Sequence, residues 1–223
     1  MPAILFGSIG TIADTSELQR QSFNKAFALH DLDWQWSRTE YMSLLEKSGG
    51  IHRIEEYATS MEQSVDASAI HRSKSEIFQK ALHEEQLKAR PGVVNVIQKA
   101  KQNGLKLALV TGTSEQNVLS MLEALRNEID ANDFDLVLNS SKVQHPKPAK
   151  DAYEFALREL NEMPHSCVAI ENNVDGLIAA QAAGLACIAF PDENTTDHTF
   201  EGASLLVNHL EFEELQRFLE TNS

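Results

Sequence analysis

Ala3-Ile4-Leu5-Phe6-Gly7-Ser8-Ile9-Gly10-Thr11 is the stretch on which the reading of this chain turns. Four consecutive apolar residues with no polar alternation predict a strand covered on both faces. Gly10-Thr11 then allows a tight turn out of the strand. A buried strand opening into such a turn suits the start of an open α/β sheet, whose ligands sit at the carboxyl ends of its strands.

Five more short apolar runs follow, at 106–110, 135–138, 167–170, 186–190 and 204–207. Helical stretches at 93–103, 114–126, 149–160 and 175–183 lie between the later runs. The alternation predicts an α/β fold, a doubly wound parallel sheet with right-handed crossovers. Residues 16–88 break it, with helical stretches at 16–30, 37–47, 51–61 and 66–87 and no convincing strand. Arg90-Pro91-Gly92 marks the return. The expected organisation is a core of 1–15 plus 89–223 and a helical insert of 16–88 that roofs the strand ends. Trp34 and Trp36 are expected to pack inside that insert, and Glu220-Thr221-Asn222-Ser223 to fray.

The chain has 223 residues, 42% of them hydrophobic, enough for one large domain or a core with a smaller insert. A net charge of -14 argues against a nucleic-acid partner and requires any anionic ligand to be drawn by a local positive spot. No apolar run approaches the roughly 20 residues of a membrane span, and the start shows none of the stages of a signal peptide. Cys167 and Cys187 fall in strand-like runs and read as buried free thiols, which points to a reducing cytoplasm. Oligomeric state is not legible, and a monomer is expected.

Four constellations carry the chemistry. Phe6-Gly7-Ser8-Ile9-Gly10-Thr11 alone reads as a structural turn. Val110-Thr111-Gly112-Thr113-Ser114 ends a strand and opens a helix, as either an anion seat or an N-cap. His145-Pro146-Lys147-Pro148 mounts a lysine between two stiffening prolines, either to face a phosphate or as an exposed loop residue. Glu171-Asn172-Asn173-Val174-Asp175-Gly176 follows a strand, where oxygen ligands suit magnesium and asparagines suit helix capping. The small residues after it, Ala179-Ala180 and Ala182-Ala183-Gly184, read as close helix–sheet packing.

The order of the four is more specific than any one of them, and it resembles the haloacid dehalogenase-like (HAD) superfamily. Phe23-Asn24, Ala26-Phe27, Asp33-Trp34, Gly49-Gly50, Arg53-Ile54, Arg90-Pro91-Gly92-Val93, Asn117-Val118 and Asp197-His198 are similar to its CbbY-type, beta-phosphoglucomutase-like branch. The resemblance implies a Rossmann-like core with a helical cap after the first strand and magnesium-dependent hydrolysis of sugar phosphates. It places Thr111, Gly112, Thr113 and Lys147 on the phosphate. Arg53, with His52, falls on the cap's substrate contact, unless Arg53 makes a surface ion pair with Glu55 or Glu56.

The same resemblance marks departures. Its first motif reads hydrophobic-Phe-Asp-x-Asp-Gly-Thr, so Gly7 stands for the nucleophile and Ile9 for the general acid/base. Asn172 stands for an aspartate and Gln19 for a usual cap histidine. Asp14 lies outside the nucleophile position, and Ser8 should point away from the site by strand alternation. Glu171, Asn172 and Asp175 remain as a weak magnesium site, if any. The expected protein is catalytically impaired and binds phosphate or a phosphorylated sugar with no metal. The alternatives are an active phosphatase using a non-standard residue, such as Glu171 or Asp175, and a non-catalytic scaffold or dimer partner.

Overall fold

A computed structural model describes residues 1–220, so the expectation for residues 221–223 lies outside the described residues. Six strands form one parallel sheet: β1 (Ala3–Phe6), β2 (Lys106–Val110), β3 (Leu136–Leu138), β4 (Cys167–Glu171), β5 (Ala186–Ala189) and β6 (Leu205–Leu206). Their spatial order is β3-β2-β1-β4-β5-β6. β1 lies between β2 and β4, with Phe6 level with Leu109 and Ile170, so three strands end side by side.

The strands lack polar alternation because both faces are covered. Ile4, Phe6, Leu107, Leu109, Val168 and Ile170 pack to one side, with α6 (Val93–Gln102) and α7 (Glu115–Ala124). Ala3, Leu5, Ala108, Val110, Cys167 and Ala169 pack to the other, with α8 (Asp151–Leu160) and α9 (Val174–Ala182). Ala179 and Ala180 of α9 are fully buried there and serve close packing, whereas Ala182 and Gly184 are exposed. Both cysteines are buried free thiols. A helix the sequence reading passed over, α10 (Phe212–Glu220), closes the first face with Phe212, Leu215 and Leu219, an i, i+3, i+7 stripe.

Between β1 and α6 come the short α1 (Ile9–Ile12), then α2 (Ser16–Leu29), α3 (Arg38–Leu44), α4 (Gly50–Ser60) and α5 (Ala67–Glu84). The last four enclose their own core. Trp36 is fully buried, its ring 4.9 Å from that of Phe23 and 4.7 Å from that of Phe27. Trp34 packs in the same cluster. α3 starts on a capping box of Ser37 and Glu40. α5 belongs to both bodies: Ile70 packs in the insert, whereas Phe78 and Leu82 join the core of the sheet. The apolar division therefore falls within α5, ahead of residue 88.

The insert rests on the strand ends through polar contacts. Ser48 N donates to Asp175 Oδ2 at 2.6 Å, Arg38 Nε to Asn194 Oδ1 at 3.1 Å, and His198 Nε2 to Met42 O at 2.9 Å. A cavity of about 610 Å³ remains between the two bodies. No helix among the described residues is long and apolar enough to cross a membrane.

Candidate active site

Chain order reverses between β1 and β4, and an open parallel sheet forms its crevice at such a point. Gly7 N donates to Ile170 O at 2.8 Å, which fixes the two strand ends together. Lys147, mounted between Pro146 and Pro148, reaches this point from the loop before α8. Its Nζ donates to Gly7 O at 2.5 Å, to Val110 O at 2.9 Å and to Glu171 Oε1 at 2.6 Å. An ammonium has three protons, and all are engaged. Tyr153, in the first turn of α8, donates its hydroxyl to the same Oε1 at 2.7 Å. Burial, and then the charge of Glu171, push the Tyr153 pKa well above its ordinary value, so the phenol is a neutral donor.

Glu171 is fully buried, and its Oε2 has no hydrogen-bond partner. Two glycines make room for it. A Cβ on Gly7 would come under 3.0 Å from both Glu171 and the Tyr153 hydroxyl, and a Cβ on Gly176 would come under 3.0 Å from Glu171. Real Cβ atoms do not approach that closely.

At the end of β2, Thr111 Oγ1 accepts from Thr113 N at 3.2 Å and Thr113 Oγ1 accepts from Asn117 Nδ2 at 2.9 Å. Ser114 caps α7 by accepting from Asn117 N. Gly112 faces open space. The cap uses the Ser114 hydroxyl, and Thr111, Gly112 and Thr113 line the cavity beside it.

Beside β4, Ser8 Oγ donates to Asn172 Oδ1 at 2.6 Å, and Asn172 Nδ2 donates to Asp192 Oδ2 at 2.5 Å. Ser8 therefore lines the cavity, contrary to the expectation that it points away. Strand alternation ends with β1, and Ser8 is the N-cap position of α1. Ile9 packs against the core of the sheet and also lines the cavity. Burial, and then Asp14, push the Asp192 pKa up. Asp14 accepts from Ser16 N and Glu193 N, a structural role.

The expected metal donors part company. Glu171 turns to Lys147 and Tyr153, Asn172 lies between Ser8 and Asp192, and Asp175 accepts from Ser48. Asn173 caps α9, accepting from Gly176 N at 2.8 Å. Among the described residues no group of three His, Cys, Asp or Glu is placed to hold a metal. As they stand, Glu171, Asn172 and Asp175 do not converge on one point as a shared set of oxygen ligands. Of the three expected donors, Glu171 and Asp175 are thus engaged by groups of the protein itself.

On the insert side, Arg53 is buried and braces its own loop, with Nε on Leu44 O and Nη2 on Lys47 O, both at 2.8 Å. Neither a free phosphate fork nor a surface ion pair describes it. His52 instead stands beside Glu55 and Glu56, at 3.7 and 3.3 Å, and these carboxylates oppose an anion there. Sequence reasoning missed Lys74. It is buried in the cavity wall, donates to Gln19 Oε1 at 2.7 Å and lies 4.7 Å from the Phe23 ring centre. Its signal was available: Ile70, Lys74 and Phe78 share the buried stripe of α5 at i, i+4, i+8. Tyr153 and Asp192 had no such local signal.

A doubly wound sheet with its crevice between β1 and β4 and a helical body over it is the scaffold of a hydrolase class. Residues 4–190 match the family of haloacid dehalogenase-like hydrolases, and the chain belongs to it. It is 38% identical over 209 residues to Protein CbbY of Cereibacter sphaeroides, covering 92% of this chain and 91% of that protein. The crystal structure of CbbY from Rhodobacter sphaeroides in complex with phosphate is 38% identical, with a TM-score of 0.88 over 99% of this chain and 100% of the other. A mutant of that protein in complex with xylulose-(1,5)bisphosphate is 37% identical, with a TM-score of 0.86 over 99% and 96%.

Proposed function

We propose that this chain binds phosphate or a phosphorylated sugar and does not hydrolyse it by its family's route. The observation that carries the reading is Gly7. The position read as the nucleophile's has no side chain, and the space a side chain would enter holds Glu171 and Tyr153. Covalent phosphoryl transfer needs an in-line nucleophile there. Its loss costs on the order of 10⁴–10⁶ in rate by analogy with other covalent enzymes. Ile9, buried in the core, gives no proton to a leaving oxygen, a further loss of roughly 10²–10⁴.

What supports binding is the rest of the cavity. Thr111, Gly112 and Thr113 line one wall, Ser8 and Asn172 another, and Lys74 the helical side. The helical insert acts as a cap over the ligand, in a monomeric protein of a reducing compartment. CbbY structures with phosphate and a sugar bisphosphate make these the first ligands to test.

The test pairs calorimetric titration of phosphate and sugar phosphates, with and without a chelator, with a phosphate-release assay in magnesium. Binding that the chelator leaves unchanged, with release at background, is the expected result. Strict magnesium dependence of binding, or turnover by the natural protein, overturns the reading.

A further inference from the structure

Lys147 cannot meet an anion as it stands, because Gly7 O, Val110 O and Glu171 Oε1 take its three protons. Two of these partners are backbone carbonyls at strand ends, fixed by the sheet. The third is a side chain, and it alone carries charge. Glu171 reaches Lys147 by entering the space that any side chain at position 7 would need, and the bare Gly176 opens the other side of that space. Tyr153 holds the carboxylate from behind. The ion pair is enclosed, its side chains 7% and 0% exposed, so water screens it little.

We propose that Glu171 is an internal competitor for Lys147: it supplies the carboxylate that position 7 lacks and thereby withholds the ammonium from any anion in the cavity. Gly7 is then obligatory, since a side chain there evicts Glu171. This rests on the anion-binding reading above and adds that the resident carboxylate sets how tightly the anion is held. Glu171 lies behind Gly7, outside the cavity lining, whereas Lys147 lies within it. The competition is therefore for the lysine's protons and charge, with no overlap between carboxylate and ligand.

Two arms test it. In the first, inorganic phosphate is titrated into the natural protein and into Glu171→Gln, which keeps the side chain's size and an acceptor oxygen but removes its charge. Glu171→Gln should bind about tenfold tighter or more, as a charge-assisted contact to Lys147 becomes available. Equal or weaker binding by a folded Glu171→Gln overturns the proposal. Binding by Glu171→Gln alone supports it while removing the reading that the natural protein binds phosphate. No binding by either protein overturns both.

The second arm needs no ligand. Gly7→Ala should lower the melting temperature by on the order of 10 °C in the natural background. In a Glu171→Ala/Tyr153→Phe background, which clears both groups that a Cβ at position 7 meets, most of that loss should vanish. Glu171→Asp, one methylene shorter, serves if Glu171→Ala does not fold. An equal loss in both backgrounds shows that Glu171 does not hold the seat and overturns the proposal.

Discussion

Lys74 donates to Gln19 across the cavity wall at 2.7 Å, and among the described residues no carboxylate forms an ion pair with it. Arg53 and His71 line the same cavity. Burial first, and then the charge of Arg53, push the Lys74 pKa down from 10.5 to about 7. His71 is pushed down to about 4 by burial and by the same two cations, and so stays neutral near pH 7.

The depressed lysine sets a pH dependence of stability. Below about 7 Lys74 is charged in both folded and unfolded chains, and the cost of burying that charge is fully present. Between about 7 and 10.5 the unfolded chain binds the proton more tightly, so stability rises with pH from this group. Lys74→Met should flatten that rise and raise the melting temperature most at pH 6. Sulfate, whose charge does not change over this range, should stabilise the natural protein more at pH 6 than at pH 9. Thermal melts across pH, with and without sulfate, check both.

Breaking the Lys147–Glu171 pair from the lysine side leaves a carboxylate fully buried with only Tyr153 as a donor. Lys147→Met should therefore cost about 3–5 kcal/mol of stability. A Lys147→Met/Glu171→Met double variant should recover much of the loss, because no unpaired charge remains. Urea unfolding of the three proteins measures the coupling.

The helical insert is held down by Asp175 on Ser48 N and by Arg38 on Asn194 and Glu193. Arg38→Ala with Asp175→Ala should loosen the insert while leaving the sheet intact. Hydrogen exchange at Ser48 and Gly49 should speed up severalfold, with β1 and β4 unchanged. An unaltered pattern would show that apolar packing, including Phe78 and Leu82, and the His198–Met42 contact suffice to hold the insert.

Returning carboxylates to Gly7 and Ile9 should not by itself create a phosphatase. An aspartate at position 7 meets Glu171 and Tyr153, and one at position 9, on the cavity wall, gives up Ile9's apolar contact with the sheet core. Gly7→Asp/Ile9→Asp should melt lower than the natural protein and release phosphate from sugar phosphates at background. Clear magnesium-dependent turnover by this variant would mean that Glu171 swings out at little cost.

The order of strands and helices was legible in the sequence because it rests on local patterns. Unalternating apolar runs such as Ala3–Phe6 and Cys167–Ile170 mark strands covered on both faces, and the aromatic residues of 23–41 mark a separate helical core. The bareness of Gly7 and the prolines beside Lys147 were equally plain. What the side chains do at the crevice was decided only by the tertiary structure. Glu171 turns to Lys147 because Gly7, Gly176, Lys147 and Tyr153, scattered over the chain, leave its carboxylate one space and these two donors. Asp175 is claimed by the backbone of the insert, and Arg53 by carbonyls of its own loop. A residue type states which contacts a side chain can make. Which it does make depends on the competing partners that folding brings within reach, and no local pattern encodes that competition.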